Sequence, residues 1–152
     1  MSTFDPQAFL DSTTTETNDT SLPPCPIGEW PASITDVAFK TGTIQKGDRT
    51  GEAWHRLDAK WEIVATDANV IAEREKIVVT QGVMLDITAG GGLDMGKGKN
   101  VNLGRLREAV GLNALGQPFS LRMLIGRSAK ISVAHRTYEG RLLDEVKGAI
   151  PL

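Results

Sequence analysis

Between residues 52 and 65 polar and apolar residues alternate with a period of two. Ala53, His55, Leu57, Ala59, Trp61 and Ile63 fall on one face, and Trp54, Arg56, Asp58, Lys60 and Glu62 on the other. A period of two over a dozen residues predicts a half-buried β-strand. Residues 128–137 repeat the pattern, setting Ala129, Ile131, Val133 and His135 against Lys130, Ser132, Ala134 and Arg136. Runs rich in branched and aromatic residues at 30–40 and 76–88 predict two more strands, with Gly82 a bulge or bend in the second. A fifth strand is predicted over 141–147, after a turn at Glu139-Gly140. Residues 41–51, with Gly42, Gly47-Asp48 and Gly51, predict a loop or hairpin tip, and residues 67–75 a short polar connection with a helical turn. A helix is predicted over 102–110. Leu103, Leu106 and Val110 lie on one stripe, with Arg105, Arg107 and Glu108 largely off it. Asn100 or Asn102 can cap its start and Gly111 can end it, and residues 118–125 add a helical turn.

Three strands, a helix and two strands make a mainly β chain. That is the order of a five-stranded OB-like barrel, a small Greek-key barrel with one helix between strands 3 and 4. A β-sandwich with a helical insert is the runner-up; an α/β sheet fits poorly with a single helix of real length. Ahead of the strands, residues 11–20 are polar and threonine-rich, which predicts a mobile arm. Residues 6–10 form one turn presenting Phe4, Phe9 and Leu10, and the proline-rich 22–26 is a stiff lead-in. The expected organisation is an acidic, flexible arm over 1–29, extended in front of a barrel domain over 30–152.

Composition narrows the function classes. The chain has 152 residues, 40% hydrophobic and 24% charged, as in a soluble globular domain. No run approaches the roughly 20 apolar residues of a membrane helix, and the start has neither the basic nor the apolar region of a secretory leader. The expectation is a cytoplasmic protein with no membrane partner. The lone Cys25 excludes an intrachain disulfide and a cysteine zinc cluster. His55 and His135 are far apart in sequence, and neither has a Ser, Cys or acidic companion at a suggestive spacing. No metal, no cofactor and no catalytic residues are expected, and so no enzyme. Asn18-Asp19-Thr20 matches a glycosylation sequon, which means nothing without a secretory route.

Charge changes the picture. The net charge of −2 hides an arm with five acidic residues and no basic one, because residues 30–152 hold all 17 Lys and Arg. Over 97–147 ten basic residues face four acidic ones. Such asymmetry points to a polyanionic partner.

The glycine-rich run 91–98 nearly fits a P-loop, but Gly98 stands where a hydroxyl should reach Mg²⁺, and the helix starts too late to meet a phosphate. Its glycines do let backbone amides approach phosphates, with Lys97 and Lys99 as clamps. Trp54 shares its strand face with Arg56 and Lys60, an interleaving of ring and cation that suits base stacking beside phosphates. The bland alternative packs Trp54 under a loop or at a subunit contact. Lys130 and Arg136 share the outward face of the fourth strand and extend the same basic groove, and Tyr138 or Trp30 supplies a second ring.

The runs Gly28-Glu29-Trp30-Pro31-Ala32-Ser33-Ile34 after Leu22-Pro23, Gly92-Leu93-Asp94-Met95-Gly96-Lys97-Gly98, Leu103-Gly104-Arg105-Leu106-Arg107-Glu108-Ala109-Val110-Gly111-Leu112 and Glu145-Val146-Lys147-Gly148 carry a resemblance. Over about residues 22–150 the chain resembles a phage-encoded family regarded as single-stranded-DNA-binding proteins with an OB-like barrel. The resemblance implies sequence-independent binding of single-stranded DNA in phage replication or recombination, inside the infected cell. It implies replication or recombination proteins as partners, and a homo-oligomer is a further expectation. The chain departs in ending Gly148-Ala149-Ile150-Pro151-Leu152 rather than in an acidic tail. A virion structural or capsid decoration protein, laced to its neighbour by the arm, is the alternative. A nuclease inhibitor using the arm as a DNA mimic is a weaker third.

Overall fold

The computed structural model describes residues 3–18, 20, 23–64 and 66–152. Met1, Ser2, Asp19, Ser21 and Leu22, which belong to the expected arm, the sequon and the lead-in, lie outside the described residues. The elements run α1 (Pro6–Leu10), β1 (Gly28–Thr43), β2 (Ala53–Ile63), α2 (Thr66–Ile71), β3 (Ile77–Leu85), α3 (Val101–Ala109), a 3-10 turn (Leu121–Leu124), β4 (Ser128–Tyr138) and β5 (Arg141–Ile150). The protein is mainly β. Its five strands form one antiparallel sheet in the order β3-β2-β1-β4-β5.

β1 is the organising strand. Its N-terminal end, from Gly28 to Ser33, pairs with β4, and its length from Ala32 to Thr43 pairs with β2. A bulge between Ile34 and Asp36 inserts one residue, so the inward positions shift from Ala32 and Ile34 to Val37 and Phe39. Bulges increase the local right-handed twist of a strand. A second irregularity, between Ser132 and Val133, bends the β4–β5 pair. The sheet therefore coils until its edge strands, β3 and β5, come into contact, with no ladder joining them among the described residues. α3 packs against both.

The alternation of β2 is borne by burial. Leu57, Ala59, Trp61 and Ile63 are buried, while Ala53 is exposed and His55 half-buried, because the far end of the β1–β2 hairpin runs beyond the core. Trp61 is fully buried and its indole N–H donates to Gln81 Oε1 at 2.9 Å. This satisfies the one polar atom a buried Trp brings. β4 contributes Ala129, Ile131 and Val133, and α3 contributes Leu103, Leu106 and Ala109. Arg107, expected largely off the apolar stripe, is buried as well. It follows Leu103 by four residues and so lies over the same side of the helix.

The docked chain begins before the strand. Cys25 is fully buried; its backbone N–H donates to Asp144 Oδ1 at 2.8 Å, and its carbonyl is bonded by His135 Nε2. Arg74 donates to the Pro23 carbonyl at 3.1 Å, and Trp30 Nε1 to that of Pro26 at 2.9 Å. Ahead of it, Phe4, Phe9 and Leu10 of the α1 region are exposed. Among the described residues no helix is long and apolar enough to cross a membrane.

Burial pushes the Cys25 thiol up to about 11 from 9.0, helped by the Asp144 carboxylate and opposed by Arg74. Two outcomes are expected. A thiol reagent at pH 8 labels Cys25 only on global unfolding. Alkaline titration lowers the unfolding free energy between pH 9 and 11, because the unfolded thiol ionises there while the folded one stays protonated. Rapid labelling of the native chain is the contrary result.

Candidate nucleic-acid interface

The outward face of the sheet carries most of the candidate residues, and register decides which of them meet. On β2, Trp54, Arg56, Asp58 and Lys60 point outward opposite Gly42, Lys40, Ala38 and Asp36 of β1. On its other side β2 sets Arg56 against Met84, Asp58 against Gly82 and Lys60 against Thr80 of β3. On the far half, Arg136 pairs with Leu143 and Tyr138 with Arg141 across the β4–β5 hairpin. Where the edge strands β3 and β5 meet, residues from the two halves of the sheet line a cleft of about 440 Å³. Arg56, Asp58, Thr80 and Gly82 line one side and Arg136, Leu143 and Asp144 the other.

Trp54 is half-buried, and its ring lies flat on Gly42. A Cβ built at Gly42 would sit 2.5 Å from Trp54 Cζ2, so only glycine lets the ring lie there. The Arg56 guanidinium stands 5.4 Å from the Trp54 ring centroid. It is held by a two-pronged bond to Asp58, with Nε to Oδ1 at 2.6 Å and Nη2 to Oδ2 at 3.2 Å. Cation–π attraction and the bidentate pair fix Arg56 at the mouth of the cleft. Asp144 is already engaged by the Cys25 amide and lies 3.9 Å from His135. Arg136 has no ion-pair partner among the described residues.

The other expected residues lie apart from the cleft or at its rim. Lys60 is exposed beside Thr80, at the end of the cleft away from Trp54. Tyr138 is 57% exposed, one outward position beyond Arg136 on β4, and extends the opposite rim. Lys130 lines a separate cavity of about 200 Å³ with Glu29, Lys147 and Ile150. Lys97 is exposed in the 89–100 loop, and Lys99 lines a third cavity. That loop is clasped. Asp86 and Asn100 exchange backbone–side-chain bonds at 2.8–2.9 Å, and Ile87 bridges Leu93.

Sequence reasoning did not single out Arg141 and Leu143 beside Arg136, nor Phe39 beside His55. Phe39 is 51% exposed and stacks on His55 with ring centroids 5.7 Å apart. His55 Nδ1 lies 3.3 Å from the Thr41 hydroxyl. Strand parity alone could have placed Arg141 and Leu143 with Tyr138 and Arg136, once the two-residue turn at Glu139-Gly140 fixed the register. Among the described residues no group of three His, Cys, Asp or Glu side chains is placed to hold a metal ion.

No protein-family model matches the chain, and no curated protein is significantly similar to it.

Gly42→Val is expected to lift the Trp54 ring off the sheet and destabilise the fold by about 1–3 kcal/mol, the usual scale of overpacking. In a Trp54→Ala background the same substitution should cost little. Thermal melts of the four chains measure this coupling; equal losses in both backgrounds contradict the contact.

Proposed function

We propose that the protein binds single-stranded DNA, without sequence preference, in the cleft between the β2–β3 surface and the β4–β5 hairpin. The observation that supports this reading is the convergence of Arg56 and Arg136, from strands remote in sequence, on one cleft, with the Trp54 ring beside Arg56 and Tyr138 one outward position beyond Arg136. Every base has a face that stacks on an aromatic ring, so rings recruit bases without reading them. Arginine forks bond phosphate oxygens, and the charge term rewards any phosphate backbone. Asp58 has a positioning part, since it holds Arg56 against the Trp54 ring. The engaged residues are Trp54, Arg56, Lys60, Arg136 and Tyr138, with Lys97, Lys99 and Lys130 outside the cleft as contacts to a longer strand.

The fold we infer is an OB-like barrel. The sheet order β3-β2-β1-β4-β5, the meeting of β3 with β5 and the position of α3 between β3 and β4 all agree with its strand plan. In such barrels the strand 2–3 surface, flanked by the loops joining strands 1–2 and 4–5, is the oligonucleotide-binding surface. The resemblance to phage-encoded single-strand-binding proteins extends this to replication or recombination in an infected cell, alongside the proteins of those processes.

A second reading, the virion structural or decoration protein, is favoured by one observation. Phe4, Phe9 and Leu10 are 62–74% exposed, as in an arm that seats on a neighbour. Presence in purified particles at the stoichiometry of a capsid lattice separates the two.

Titration with oligo-dT at low salt is expected to quench tryptophan fluorescence and retard the chain in a gel, with affinity falling as salt rises. Arg136→Ala should lower the log–log salt slope by about 0.7, one phosphate contact on a single strand. Trp54→Ala should weaken binding by about 1–3 kcal/mol. An unchanged spectrum and no mobility shift at low salt remove the proposal.

A further inference from the structure

β1 carries an edge that the fold leaves open. On the side away from β2, its ladder with β4 runs only to Ser33. Ile34 closes it, donating to the Arg127 carbonyl and accepting from the Gly126 amide, both at 2.8 Å. From Asp36 to Thr43 the strand keeps its ladder with β2, and no ladder runs along its other side among the described residues. At the tip of the hairpin Ile44 donates to the Glu52 carbonyl. Backbone groups alternate in direction along a strand, so Gly42, Lys40 and Ala38 bond toward β2, and Thr41, Phe39 and Val37 face the open edge. The Val37 amide is held by the adjacent Asp36 Oδ1 at 2.9 Å. Phe39 and Thr41 are exposed, Phe39 by 51%. An open edge of this kind is a template for another strand.

The order of residues says which strand. Asp36 and Lys40 share the outward face, carry opposite charges and stand equally far from Ala38. Neither has an ion-pair partner among the described residues. Val37 and Phe39 share the inward face and flank Ala38 in the same way. A two-fold axis through Ala38 therefore makes the edge complementary to itself. Asp36 of each copy meets Lys40 of the other, and Val37 of each meets Phe39 of the other. Opposite charges and aromatic–branched pairs set across two strands both stabilise a sheet.

The backbone agrees with this register. Val37 and Phe39, which face the edge, oppose each other and exchange both of their bonds. Ala38 falls at the close, non-hydrogen-bonded position on the axis, where a small side chain fits. Moving the axis to Phe39 keeps the backbone bonds but sets Lys40 against Ala38 and Asp36 against Gly42, so the charges no longer meet. Charges on an edge deter unrelated strands; in the Ala38 register they favour a second copy of this one.

We propose that the protein self-associates through this edge. Residues 36–40 of two copies pair antiparallel about Ala38, and the β3-β2-β1 halves of the two copies join into one continuous sheet. The short ladder makes a small interface, so the association is reversible with concentration. The inference does not rest on the cleft.

Sedimentation velocity of the full chain over a concentration series is expected to show a monomer–dimer equilibrium. Amide hydrogen exchange at Phe39 should slow as the dimer fills. Lys40→Asp and Asp36→Lys each set like charges opposite one another, and each should weaken self-association about tenfold or more. Mixing these two variants puts opposite charges together at both positions, and a heterodimer as tight as the native dimer is expected. Asp36→Lys also loses the bond to the Val37 amide; should that variant not fold, Lys40→Asp and Phe39→Thr, which removes the apolar pair, decide the matter by weakening the dimer. A chain that stays monomeric across the series, a dimer that Lys40→Asp leaves intact, or folded variants that do not pair when mixed overturn the proposal. So does protection of Phe39 that follows added oligo-dT and not chain concentration, which would give the edge to nucleic acid. Quenching by oligo-dT at the cleft, or its absence, leaves these outcomes unchanged.

Discussion

One strand holds the architecture together. β1 pairs with β4 through its first residues and with β2 through the rest, the two ladders overlapping only at Ala32 and Ser33. A flat strand cannot serve two such ladders and keep one face inward. The bulge between Ile34 and Asp36 resolves this: it changes which residues point inward and adds twist where the two halves of the sheet part. The coil that results closes the core around Trp61 and carries β3 to β5. Where β3 meets β5, residues of the β2–β3 surface and of the β4–β5 hairpin line one cleft, Arg56 and Arg136 among them.

The electrostatics of that cleft are economical. Arg56 is neutralised by Asp58, and Asp144 is taken up by the Cys25 amide, so the cleft is not a field of uncompensated charge. It presents a held guanidinium, with the Trp54 ring beside it, and a second arginine without an ion-pair partner among the described residues. The acidic partner of Arg56 fixes where the guanidinium stands and, on the proposed reading, limits how strongly it would attract a phosphate; the Trp54 ring beside it lies against Gly42. Shape and stacking then carry more of the proposed recognition than net charge, which remains slightly negative for the whole chain.

Much of this was legible in the sequence. The alternation of 52–65 and 128–137 placed Leu57, Ala59, Trp61, Ile131 and Val133 inward and Trp54, Arg56 and Arg136 outward, since period two is a local property of a strand. What was not legible depends on contacts between distant segments. β1 continues past residue 40 through polar Lys40 to Thr43 because β2 supplies its ladder. Cys25 enters the core through backbone bonds to Asp144 and His135, which leave no hydropathy signature. The basic segment 97–147 reads as one charged block, yet Lys99, Lys130 and Arg136 line three different cavities, because strand order and not sequence proximity assigns each to its surface. Arg107 is expected largely off the apolar stripe because its charge outweighs its spacing in a pattern count; Phe119 and the Leu112 carbonyl, which make its burial possible, come from outside the helix.

The central claim is that the coiled sheet makes a single binding surface from β2, β3 and the β4–β5 hairpin. Mapping amide shifts of the full chain on addition of a short oligo-dT strand tests it most directly. The account predicts perturbations that cluster on Arg56, Thr80, Gly82, Arg136 and Leu143, with the Trp54 indole N–H among them. Perturbations confined to one half of the sheet, or falling only on residues remote from the cleft, would contradict it.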